Sequence, residues 1–331
     1  MHPWPTDAFA DVTLHVVSGK GGTGKTTVAA ALAIALATDG HRVLLMEVEG
    51  RQGIAQLFDV PPLPYEERKV AVAPGGGEVW ALAVDTEDAL LDYLEMFYKM
   101  RRAGSALGKM GAIDFATTIA PGLRDVLLTG KAVEVVKRKE KKASNAYDYV
   151  VLDAPPTGRI TRFLNVNSEV SGLAKVGPIK NHADSVMSVI ASEQTAIHLV
   201  TLLEEMPVQE TIDGIEDLRA NNLPVGGIFV NLMRPPRLNA DQRTRALEHS
   251  LDSSALASSL ASVGIDSAAL IDVLEQEAVD HSQRVDLEQR ELERLTELGL
   301  PLVTLPLIPS GIDLSGLYEL ARVMRNAGVT L

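Results

Sequence analysis

The chain is predicted to be an α/β protein with a mostly parallel central sheet flanked by helices, plus a helical lobe. Three observations lead there. A short β-branched run, residues 12–18 (VTLHVVS), enters the glycine-rich SGKGGTG and is followed at once by an alanine- and leucine-rich stretch from Lys25 to Thr38, which Asp39 and Gly40 stop. That is a strand, a loop and a helix in succession. Further short apolar runs recur at 42–47, 79–84, 149–153, 197–202, 226–231 and 302–305, with the length and composition of strands buried on both faces. Helical stretches separate them, and this alternation winds a parallel sheet with helices on both sides.

Between the strands lie three helical insertions, at approximately 86–142, 160–190 and 235–298, expected to form the lobe beside the sheet. In the first, Leu90, Leu91, Tyr93, Leu94, Met96, Phe97, Tyr98 and Met100 are apolar almost all round a helix, which favours core or subunit-interface packing over an adaptable client groove. Residues 131–142 carry six basic residues and two Glu, and 241–300 carry 13 acids against five Arg; both read as solvated helix faces. The segment GRQGIAQLFDVPPLPYEERKV and the following APGGGE read as an ordered-to-mobile connection, since Pro and Gly break helix and strand alike. The weakly amphipathic LSGLYELARVMRNAGVTL reads as a core helix, its basic face being too poor for a membrane anchor.

Composition excludes several classes. With 31 Lys plus Arg against 44 Asp plus Glu, the net charge of -13 disfavours nucleic acid and anionic lipid. Zero Cys removes disulfides, thiolate zinc sites and iron-sulfur clusters. The His residues show no pairing at metal-ligand spacing and read as solvent-facing or satisfied strand residues. No window approaches the roughly 18 apolar residues of a membrane span, and MHPWPTDAFADV lacks the basic and apolar regions of a signal peptide. A cytoplasmic chain without stable membrane insertion is expected.

Gly19, Lys20, Gly21, Gly22, Thr23, Gly24, Lys25, Thr26 and Thr27 satisfy G-x-x-x-x-G-K-T, and they lie between a strand and a helix start, where that pattern acts as a phosphate loop. The glycines let backbone N–H groups converge on phosphate oxygens, Lys25 reaches the β- and γ-phosphates, and Thr26 offers a hydroxyl to Mg2+. A nucleoside triphosphate and Mg2+ are therefore the expected ligands, and the base-binding resemblance described below implies that the nucleotide is ATP. Asp153, ending the apolar strand Tyr149–Asp153 before Ala154-Pro155-Pro156-Thr157-Gly158, is the second candidate for the metal.

With Lys20 directly after Gly19, the loop takes the deviant form and resembles that of the phosphate-loop ATPases that drive arsenite pumps, target tail-anchored proteins, position septa and partition chromosomes. The arsenite-pump and targeting branch carries D-T-A-P-T-G-H-T-x-R at the second switch, where Asp153, Pro156, Thr157, Gly158 and Arg162 match and Arg159 replaces the His. The run EVEGRQGIAQLFDVPPLPY also resembles actinobacterial proteins of the anion-transporting ATPase type, whose relatives tend to come as paired subunits. The resemblance implies one ATPase domain over 1–331, with a nucleotide-binding core at approximately 11–60, 78–85, 147–160, 195–232 and 300–331.

It further implies that Lys20 reaches across a dimer interface to the partner's nucleotide. Asn231 and Pro306, each ending a strand, resemble base-binding positions. The branch's D-P-A motif places at Glu49 the carboxylate that orients the attacking water, and the extra methylene changes its reach in chemistry dominated by positioning. A bland alternative makes Glu47 and Glu49 cap or surface acids. The expected function is a Mg-ATP-dependent dimeric ATPase, as homodimer or as heterodimer with a paralogous ATPase, coupling ATP binding and hydrolysis to a client or partner protein at the helical lobe. The alternative is a nucleotide-binding regulatory subunit with little turnover of its own.

Overall fold

The computed structural model describes residues 11–91, 123–165, 178–266 and 270–329 of the chain. Most of the Met and aromatic stretch after Leu91 and the first ten residues lie outside the described residues. The strands are β1 (Leu14–Gly19), β2 (Arg42–Glu47), β3 (Arg68–Val72), β4 (Glu78–Ala83), β5 (Tyr149–Asp153), β6 (Thr195–Thr201), β7 (Val225–Met233) and β8 (Leu302–Pro306). β1, β5 and β6 are buried along their whole length, as strands covered from both sides must be. The sheet order is β3-β4-β2-β5-β1-β6-β7-β8, and every pairing except β3 with β4 is parallel. β1 sits between β5 and β6, so the chain crosses to opposite sides of it, and at such a switch point a crevice opens beyond the carboxyl ends of the strands.

The helices are α1 (Lys25–Ala37), α2 (Gly53–Leu57), α3 (Leu123–Glu140), α4 (Thr157–Leu164), α5 (Pro178–Ile190), α6 (Glu205–Ala220), α7 (Ala240–Leu247), α8 (Ser253–Ser262), α9 (Ile271–Thr296) and α10 (Leu314–Asn326). Every residue of α1 from Val28 to Ala37 is buried, because a helix apolar all round must be covered all round. Its small alanines lie against the sheet, and α10 closes the other side with Leu317, Leu320, Ala321 and Met324. The C-terminal helix is thus part of the core, as its sequence suggests. Alternation along the strands sends Val17, Leu45 and Val151 to this face and Val16, Leu44 and Leu152 to the opposite one. There α3, α4, α5 and α6 pack through residues such as Val133, Phe163, Val186 and Ile215.

Two sequence expectations need correction. The connection after β2 holds α2 and the edge strand β3, each of them regular structure. Gln52 brackets Leu63, donating to its carbonyl at 3.1 Å and accepting from its N–H at 2.7 Å, and this pins the proline-rich turn. β3 escaped detection because an edge strand needs only one apolar face; here Arg68, Lys69 and Val72 are exposed and only Ala71 is buried. The basic run at 131–142 is also not wholly solvated. Arg138 is largely buried, bonded to Glu134 at 2.8 Å and to Glu67 at 2.6 Å, while the Tyr147 hydroxyl donates to the other oxygen of Glu67 at 2.8 Å.

The structure also pairs two histidines that lie 183 residues apart. His15 on β1 and His198 on β6 are fully buried, their rings stacked with centroids 5.3 Å apart and Nδ1 of His15 3.0 Å from Nε2 of His198. The Gly227 N–H donates to Nδ1 of His198, so the proton of His198 sits on Nε2 and is donated to His15. Burial lowers the pKa of His15 to about 3 and that of His198 well below its ordinary value. Both rings are thus neutral in the fold and become charged on unfolding in mild acid. The unfolded chain then binds more protons, so stability present above about pH 6.5 is lost as the pH falls toward 3, by about 1.4 kcal/mol per pH unit for each ring. Denaturant midpoints compared between about pH 7 and pH 5 should show this slope, flattened in a His15→Gln, His198→Gln double variant.

Candidate functional site

The loop from Gly19 to Lys25 leaves β1 at the switch point and opens α1. Two of its glycines are sterically required. Gly19 has φ +153°, and a Cβ there would overlap the Val200 carbonyl; Gly24 has φ +86°, and a Cβ there would run into the Asn231 amide. Around Gly21 and Gly22 nothing lies within 4 Å of where a Cβ would stand, which leaves the backbone open to a ligand. Thr23 closes the turn with its hydroxyl on the Lys20 carbonyl at 2.8 Å.

Lys25 is 8% exposed and makes no hydrogen bond or ion pair among the described residues. Beside it, the Thr26 hydroxyl donates to Oδ2 of Asp153 at 2.7 Å. Asp153 is buried at the end of β5, and its Oδ1 has no partner among the described residues. Burial raises its pKa to about 6; the Thr26 hydroxyl and Lys25 pull it down, and Glu47 and Glu49 push it up. The structure brings Lys25, Thr26 and Asp153 together in one cluster.

Glu47 is closer to this centre than sequence reasoning allowed. It pairs in register with Asp153 across β2 and β5 and is 2% exposed. Its Oε2 accepts the Ile54 N–H at 3.2 Å near the start of α2, and its Oε1 is buried without a partner. Glu49 lies beyond the strand end, 20% exposed, with Arg51 at 3.6 Å. Orphaned buried carboxylate oxygens call for a cation or ordered water. No group of three or more acidic or His side chains among the described residues is arranged to hold a metal alone. The donor set therefore fits Mg2+, which binds through one or two carboxylates, a hydroxyl and the phosphates of its substrate.

Pro306 ends β8, whereas Asn231, expected to end its strand, lies two residues before the end of β7, which runs on to Met233; both lie toward the same edge of the sheet as the loop. The Asn231 amide donates to the Thr23 carbonyl at 2.9 Å and so buttresses the loop from two strands away. Directly after it Leu232 has φ +58°, an uncommon conformation for a residue with a side chain, at the point where the β7–β8 register shifts. Lys20 pairs with Glu210 of α6 at 3.2 Å; the other Glu210 oxygen accepts the Thr157 hydroxyl at 2.7 Å. No local signal could have revealed Glu210, a single acid on an otherwise ordinary helix. The Ser18 hydroxyl, on the Pro155 carbonyl at 2.6 Å, ties the loop's entry to the segment after Asp153.

The family profile described as anion-transporting ATPase matches residues 12–192. The chain is 50% identical over 331 residues to ATPase BagA of Mycobacterium tuberculosis, an alignment covering 98% of this chain and 96% of that protein. It is 28% identical over 249 residues to ATPase GET3 of Kluyveromyces lactis, covering 65% of this chain and 70% of the relative. Against an arsenical pump-driving ATPase of Acidiphilium multivorum the identity is 25%, over 91% of this chain and 53% of the other.

The buttress gives a direct prediction. Asn231→Ala leaves the Thr23 carbonyl unpaired and should cost about 1–3 kcal/mol of stability. Nucleotide affinity should fall with it, as read by thermal melting and calorimetric titration. A variant that melts and binds like wild type would show that the loop holds its shape without the amide.

Proposed function

This chain belongs to the anion-transporting ATPase family and is an ATPase, and from that premise we propose that it is a Mg2+-dependent ATPase that works as a dimer and couples its nucleotide state to a client or partner protein. The observation that carries the nucleotide part is Lys25, 8% exposed and making no hydrogen bond or ion pair among the described residues, in one cluster with the orphaned oxygen of Asp153. A lysine so placed without a direct partner suits a ligand that brings negative charge. The triphosphate of ATP supplies it.

In this reading the loop's N–H groups and the start of α1 bind the phosphates, and Lys25 neutralises them at closest approach. Thr26 and Asp153 hold Mg2+, and Glu47 stands behind them. The ion, when bound, neutralises charge on the β- and γ-phosphate oxygens. Asn231 and Pro306 flank the base. Lys20 meets the nucleotide of a second subunit, and the helical segments outside the core meet the client. A metalloid cargo held by thiolates, the kind of chemistry a name such as arsenical pump suggests, is not available to a sequence without Cys.

Glu49 is the group assigned to orient the attacking water and accept its proton. Its ion pair with Arg51 opposes that role by drawing the carboxylate toward solvent. That contact favours a slow enzyme and keeps a second reading in play: a regulatory subunit that binds ATP, seldom turns it over and relies on a paralogous ATPase.

Calorimetric ATP titrations test the first part. Lys25→Ala should abolish binding, and Thr26→Ala should mainly reduce its Mg2+ dependence. Wild type with Mg2+ and a non-hydrolysable analogue should sediment as a dimer, alone or with a paralogue, and should do so equally after zinc has been removed. Unchanged affinity in Lys25→Ala would sink the phosphate-loop assignment.

Single-turnover hydrolysis tests the second part. Glu49→Gln should retain ATP and lose about 100-fold or more in rate, the range for removal of a general base. Arg51→Ala should be faster than wild type. A dead Glu47→Gln beside an active Glu49→Gln would move the catalytic carboxylate to Glu47, and equal slow rates throughout would favour the regulatory subunit.

A further inference from the structure

Lys20 belongs to the phosphate loop, yet its side chain is engaged by a carboxylate from outside it. Its ammonium is paired at 3.2 Å with Glu210, both side chains being 33% exposed, and it has no other partner among the described residues. Glu210 is itself aimed. Its second oxygen accepts from Thr157, which is buried and begins α4 four residues after Asp153. Three elements, the phosphate loop, α4 and α6, thus converge on a single carboxylate.

We propose that Glu210 is a positioning residue that holds Lys20 away from phosphate through an ion pair within the chain, aimed by Thr157, and that Lys20 must leave this pair before it can meet a nucleotide. A carboxylate at the loop opposes an incoming triphosphate by occupying a cation that could otherwise neutralise the phosphates. The pair is partly exposed, so it is weak enough for a triphosphate to displace. The loop is thereby kept in a resting form that a strong polyanion opens and a weak one does not. This inference rests on the nucleotide site proposed above.

The test is the affinity of a fluorescent ATP analogue with Mg2+, measured for Glu210→Gln, Thr157→Val and Lys20→Ala and for the Lys20→Ala, Glu210→Gln double variant, with melting temperatures recorded for each. Glu210→Gln keeps its size and can still accept from Thr157, so its fold should survive. Its affinity should rise about two- to fivefold, the range spanned by an exposed ion pair. The gain should shrink in high salt. It should vanish in the Lys20→Ala background, the coupling that a double-mutant cycle isolates. Thr157→Val leaves α6 intact and should reproduce part of the gain by releasing the aim of Glu210, which keeps the idea testable whatever the fold of Glu210→Gln does. Equal or weaker binding in a normally melting Glu210→Gln overturns the proposal, as does a gain that persists without Lys20. Failure of the underlying nucleotide site would look different: Lys25→Ala would then bind like wild type whatever Glu210 does.

Discussion

Asp153 is a carboxylate buried at the centre of an eight-stranded sheet, and the arrangement around it follows from the need to make that burial tolerable. One oxygen takes the Thr26 hydroxyl and the other takes nothing, while Lys25 lies near and Glu47 and Glu49 oppose. Burial of an ionised group without full pairing is costly. The phosphate loop must sit where its lysine and threonine reach β5, and that fixes the start of α1. Since α1 is apolar all round, its position in turn fixes where α10 closes the second layer. A functional cluster and a packing layer are set by the same contact.

The parallel order of the strands makes this economical. β2, β5, β1, β6, β7 and β8 all run the same way, so their carboxyl ends present Glu47, Asp153, the loop and Asn231 along one edge. Three neighbouring segments then meet the loop or its entry through a polar contact each: Ser18 on Pro155, Asn231 on Thr23, and Glu210 on Lys20. None of these is a strong interaction by itself. Together they make the loop's shape depend on three distant parts of the chain.

Legibility in the sequence followed the physics of each element. Central strands are buried on both faces and spell continuous apolar runs, so β1, β2, β5 and β6 were readable within a few residues. The loop was readable because its chemistry needs particular residues at particular spacing. β3 was not, because its short apolar run, Val70 to Ala73, is squeezed between the charged Glu66 to Lys69 and the break at Pro74-Gly75. The His15–His198 pair and the Lys20–Glu210 pair were invisible for another reason: each joins residues more than 180 positions apart, and only strand order or helix docking brings them together. Glu47 and Glu49 were both noted, yet one-dimensional alignment could not tell that the first turns inward beside Asp153 while the second turns toward Arg51.

The far end of α1 carries a mechanical consequence. Helix α1 is about 20 Å long at 1.5 Å per residue, and where it ends the β3–β4 hairpin presses Gly77 against the Ala37 carbonyl so tightly that no side chain fits between them. Arg325 of α10 holds Asp39 just past the same end at 3.1 Å. A rod seated at its base and packed along its whole length cannot act as a piston. It is the anvil of the molecule, the stationary body against which any stroke is delivered. The short segments that leave β2 and β5 are held in part by side-chain hydrogen bonds, Glu47 on Ile54, Gln52 on Leu63 and Ser18 on Pro155, where α1 is fastened by a whole layer of packing.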